Sequence, residues 1–138
     1  MIEATFIQIA EKAILEKGTN KLSLINMIDA FTTVGFPALI PHLAVVVKTK
    51  RDISGDPAET ECTIEIRQGD KQLFLHEFKV NYEDKASNNL VVTLVGLVIP
   101  GPQPVVFIFS REGKEIKRME VEVQHISPEV KEAKQASV

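Results

Sequence analysis

The chain has 138 residues, 44% hydrophobic and 25% charged, with a formal net charge of −3. That length suits one domain around one core, and the composition excludes a disordered, fibrous or repeat protein. The 16 Lys and Arg are interspersed with 19 acids, so no positive field gathers phosphate backbones and nucleic acid is not an expected partner.

The first residues, Met1 to Lys12, lack the basic leader and the uninterrupted apolar run of a signal peptide, so a cytoplasmic location is the expectation. Ile2 to Ile9 is rich in β-branched and aromatic residues and reads as a strand. Ala10 to Lys17 is too short for periodicity to separate a helical turn from a continuing strand. After Gly18-Thr19-Asn20, Lys21 to Phe31 alternates as a second strand. Thr32 to Pro41 carries Phe36-Pro37 and Ile40-Pro41, and each proline removes a backbone donor, so this stretch is expected to be a crossover loop.

A third strand runs from His42 to Lys50 and ends in the polar Arg51 to Glu59 loop. Glu61 to Arg67 alternates cleanly, with Cys62, Ile64 and Ile66 inward, and Gln68-Gly69-Asp70 turns it into a partner strand over Gln72 to Tyr82. Leu90 to Ile99 is apolar at both parities and about half the length of a membrane-spanning helix, so it reads as a buried strand and no membrane partner is expected. Pro100 to Pro104 stops it. Val105 to Val123 then forms a hairpin around Glu112-Gly113. Ile116 and Met119 have opposite parity, so if both point inward a bulge must sit near Lys117-Arg118.

Seven or eight short strands with at most one short helix predict an all-β, antiparallel two-sheet β-sandwich of immunoglobulin-like kind. It is expected to span residues 1–126, followed by a flexible charged tail over 127–138.

No residue pattern points to catalysis, so an enzyme is not expected and no cofactor is implied. The lone Cys62 lies on an apolar face and reads as a buried reduced thiol. His76, between Phe74 and Phe78 at strand spacing, is read as a core or boundary histidine rather than a ligand, and His42 and His125 lie in separate segments. Asp52, Asp56, Glu59 and Glu61 cluster around one loop without the spacing of a calcium site, and no metal is predicted.

Several motifs in sequence order, Ala10-Glu11-Lys12-Ala13, Lys21-Leu22-Ser23-Leu24, Phe36-Pro37, His42-Leu43-Ala44-Val45-Val46 and the strand ending at Gln68-Gly69-Asp70, resemble a bacterial family of small proteins known as a domain of unknown function. The similarity covers Ile2 to Gly113, and family members often carry glycines where this chain has Asn26-Met27 and Thr19-Asn20. The resemblance implies a β-sandwich and supplies no catalytic residues.

A two-layer sandwich needs only one apolar face per strand, yet Leu43 to Val47, Leu90 to Ile99 and Val105 to Phe109 are apolar at both parities. The second face is expected to be covered either by the chain's own loop or by a partner. The expected function is protein–protein contact or self-association as a homo-oligomer, with Leu90, Val92, Leu94, Leu97, Ile99, Phe36 and Leu39 as interface residues. The alternative is a small-ligand or carbohydrate-binding module using end loops 32–41 and 100–104, a reading weakened by the absence of Trp and a single Tyr.

Overall fold

The computed structural model describes residues 2–16, 18–19 and 21–126, and the expected tail over 127–138 lies outside the described residues. Among the described residues nine strands run in chain order: β1 (Glu3–Leu15), β2 (Leu22–Met27), β3 (Ala30–Thr33), β4 (Ala38–Lys50), β5 (Glu59–Gln68), β6 (Lys71–Asn81), β7 (Ser87–Ile99), β8 (Val105–Arg111) and β9 (Lys114–His125). They form a four-stranded sheet, β2-β1-β4-β7, and a five-stranded sheet, β3-β9-β8-β5-β6. The two-sheet, all-β expectation holds, with no helix among the described residues.

The Ala10 to Lys17 question resolves as strand through Leu15. β1 pairs with β4 as far as Ala10↔Ala44 and then with β2 from Ala10↔Met27 to Leu15↔Leu22, so one continuous strand changes neighbours midway.

The crossover-loop expectation for Thr32 to Pro41 is overturned. Residues Ala30–Thr33 form β3, which pairs parallel to β9, so the sandwich is not wholly antiparallel. Only residues 34–37 are irregular, the Phe36–Pro37 peptide is cis, and Pro41 lies within β4. A proline is tolerated there because β4 has not yet met β1: before Ala44 only β7 pairs with it, so one side of the strand needs no donor.

The hairpins follow from turn chemistry. Glu112 (φ 50°) and Gly113 (φ 80°) both adopt the left-handed region that a two-residue type I′ turn requires between β8 and β9. The expected bulge is present slightly earlier than Lys117-Arg118: Phe109 pairs with Lys117 but Ser110 with Glu115, leaving Ile116 as the extra residue, so that Ile116 and Met119 both pack against the core. Replacing Gly113 by Ala is expected to cost about 1 kcal/mol, because a Cβ is strained at that φ, and a chemical denaturation series would register it.

One apolar cluster joins the sheets, drawing Ile7 and Ile9 from β1, Leu43, Val45 and Val47 from β4, Ile64 and Ile66 from β5, and Phe107 and Phe109 from β8. Phe31 of the short β3 reaches the same cluster and lies 6.3 Å from Phe107, ring centre to ring centre.

Two buried polar residues fasten the loops. Gln68 donates through Nε2 to the carbonyls of Gly101 and Gln103, both at 2.7 Å, pinning the Pro100 to Pro104 loop. Arg51, 6% exposed, donates to the carbonyls of Lys85 (2.8 Å), Glu83 (3.0 Å) and Asp56 (3.4 Å). Its guanidinium also lies 5.4 Å from the centre of the Tyr82 ring, whose hydroxyl is 2.7 Å from the Thr49 hydroxyl.

Candidate interaction surface

Along β7 the side chains facing the core are Leu90, Val92 and Leu94, then Leu97 and Ile99. The facing parity changes at Gly96, which has φ 79°. β4 changes in step: Leu43, Val45 and Val47 point inward on one side of Pro41, and Ala38 and Ile40 on the other. The ladder keeps its register across the switch, pairing Ile40 with Leu97 and His42 with Val95 on either side of the Pro41 and Gly96 positions. The apolar run at both parities is therefore, for β7, largely one buried face that changes phase rather than two apolar faces. In β4, Ala44 and Val46 are buried on the side away from the core cluster, between the flanking strands β1 and β7.

This relocates the expected interface residues. Leu94 and Leu97 (both 5% exposed) and Ile99 (fully buried) belong to the chain's own core, and Leu90 and Val92 pack against it. Phe36 is half-buried, its ring 5.8 Å from that of His125. Leu39 alone of the seven stands in solvent, 62% exposed. The sequence reading passed over its neighbours: Val95 is 77% and Val98 48% exposed, and Leu39 and Val98 are directly paired across β4 and β7. A glycine inside an apolar strand was the available signal, because it marks places where the side-chain phase shifts.

Other exposed apolar side chains, Ile14, Ile25 and Met27, stand on the β1–β2 pair beyond the point where β1 leaves β4. The opening between those diverging strands is a cleft of about 370 Å³ lined by Glu11, Ile28, Phe31, Thr32, Ile40 and His42.

The other residues singled out in the sequence lie elsewhere on the sandwich. His76 is exposed, its ring 6.3 Å from Phe74 and 5.7 Å from Phe78 in a stacked row. It shares their side of the strand yet is not core, because β6 is an edge strand. His125 places Nε2 3.0 Å from the Val34 carbonyl. The Asp52 carboxylate accepts from the Ser54 amide (3.1 Å) and hydroxyl (2.8 Å), which holds its pKa below the usual range. Asp56 accepts from the Asp52 amide at 2.7 Å with the same effect. The acidic loop thus closes on itself as an Asx-type turn. Among the described residues no group of three His, Cys, Asp or Glu could hold a metal ion.

Cys62 is 2% exposed and burial pushes its thiol up to about 11. Its exchange with an aromatic disulfide reagent at pH 8, which forms a mixed disulfide and releases the absorbing reagent thiolate, is expected to be on the order of 100-fold slower in the native protein than in denaturant.

The fold defines the class: an all-β protein of two packed sheets, with no helix among the described residues long and apolar enough to cross a membrane. Within that class the chain belongs to a family of unknown function, DUF6941, whose model matches residues 5–124. The resemblance read from Ile2 to Gly113 therefore holds, and the match runs on into the last strand. No curated protein matches the chain.

Proposed function

We propose that this protein is a non-enzymatic, cytoplasmic binding domain, one β-sandwich of immunoglobulin-like kind over residues 1–126, that works by protein–protein contact and associates with itself. The observation that carries the reading is the grouping of Leu39, Val95 and Val98 in solvent on adjacent strands, at 62%, 77% and 48% exposure. Burying such side chains yields up to roughly 1.5–3 kcal/mol each, which makes an apolar cluster of this kind a natural contact surface. Its mechanism is burial rather than bond chemistry.

Light scattering over a concentration series tests it. A mass that is a stable multiple of 15.3 kDa, reduced in the Val95→Lys variant, is the expected result. A mass of one chain at every concentration sinks the proposal. Val95→Lys should leave the fold intact, because that side chain makes no part of the core.

A second reading, ligand binding at one end of the sandwich, is favoured by one observation. Pairing of Ala38 with Ile99 brings the residue 34–37 bend and the Pro100 to Pro104 loop to the same end. Against it, Gln68 ties down the second loop and Phe36 is engaged with His125. Titration with a panel of sugars and nucleotides, followed by melting temperature, separates the two readings.

A further inference from the structure

The geometry points to β7 as the seam at which two copies of this chain join, edge to edge and antiparallel, an inference that rests on the self-association reading above. β7 is the outer strand of the four-stranded sheet, with β4 on one side and no paired strand on the other among the described residues. Its outer row of amide and carbonyl groups is the template that another strand recognises.

Free edges in stable proteins carry devices that discourage pairing: shortness, charge, proline or an irregular backbone. The other three edges have them. β3 is four residues long, β6 carries Lys71, Glu77 and Lys79, and β2 is six residues long with Asn26 at φ 54°. β7 runs for thirteen residues without one charged side chain or proline, and its only irregularity is Gly96.

The occupant that fits is a second β7. A two-fold axis through Thr93 pairs Leu90–Gly96 with itself, setting Val91 opposite the second copy's Val95 and the two Thr93 side chains together. No like charges meet, a Thr–Thr pair is among the cross-strand combinations that stabilise a sheet, and the valine pairs bury apolar surface. An isologous contact of this kind closes as a dimer rather than growing into a fibre. The added strand would run beside a cleft of about 330 Å³ lined by Leu73, Phe74 and Thr93 to Val98, on the open side between β6 and β7.

Thr93 is exposed, so it can be changed without touching the core. Thr93→Lys sets two charges face to face at the axis and is expected to weaken association at least tenfold, with the far-UV spectrum unchanged. Thr93→Cys places two thiols at directly opposed positions, within disulfide reach. Mild oxidation should then give a covalent pair on a non-reducing gel, while Leu39→Cys, one strand further in, should not. Sedimentation of the unaltered chain at twice 15.3 kDa together with both Thr93 results supports the seam. A heavier-than-monomer species that Thr93→Lys leaves intact and Thr93→Cys does not cross-link overturns the β7 seam and leaves self-association standing. A chain that sediments as one copy throughout overturns both.

Discussion

Replacing Arg51 by Ala is expected to destabilise the protein by about 3 kcal/mol, more than any surface substitution on the sandwich. The guanidinium is 6% exposed and satisfies three backbone carbonyls while lying over the Tyr82 ring. Hydrogen bonds from a charged donor contribute roughly 1.5–3 kcal/mol, and a partly desolvated cation–π contact roughly 1–2. Truncation forfeits these and leaves the carbonyls of Lys85 and Glu83 without that donor, whereas the cost of burying the cation is recovered, which holds the net figure near 3. Two loops loosen together, since Arg51 bonds to both the residue 51–58 turn and the residue 82–86 connection. Arg51→Lys should recover less than half of the loss, because a single ammonium cannot span three diverging carbonyls. Denaturant unfolding of the three proteins, read as midpoint shifts at constant slope, checks the order.

Leu97→Ala should cost about 2–4 kcal/mol, whereas Val98→Ala, one residue away, should cost under about 0.5. Leu97 is 5% exposed and joins the core, so its removal leaves a cavity between the sheets. Val98 is 48% exposed and faces out. The contrast tests the phase switch directly: had β7 kept one facing from Leu90 onward, Val98 would be the buried residue and the order would reverse. Melting curves at low protein concentration are the appropriate measurement, so that burial between copies does not enter the comparison. The same logic places Leu43 and Ile99 with Leu97, and Leu39 with Val98.

The five β7 residues read from the sequence as interface lie in or against the chain's own core for one local reason. Reading parity along Leu90 to Ile99 assumes an unbroken pleat, and under that assumption apolar residues at both parities demand two covered faces. Gly96 at a positive φ breaks the assumption, and Pro41 breaks it at the same level of β4. A chain pattern can flag a glycine as a possible kink, but whether the facing changes depends on the neighbouring strand changing with it. His76 was similarly underdetermined: its spacing with Phe74 and Phe78 is right for a shared face, and its exposure follows from β6 lying at the rim.

Alternation and turn chemistry by themselves determined the β5–β6 and β8–β9 hairpins, the tight Glu112-Gly113 turn, the need for a bulge close to Lys117-Arg118 and the buried place of Cys62. Each depends on residues close in sequence, where pleat geometry and φ preference act alone. The tertiary structure alone decided that β3 joins β9 in parallel, that β1 exchanges β4 for β2, that Pro41 sits inside a strand and that Arg51 is buried on backbone carbonyls. Those outcomes turn on which distant strand lies alongside, because a backbone donor is dispensable, a charge is buriable and an apolar side chain is inward only with respect to a neighbour that the local pattern does not specify.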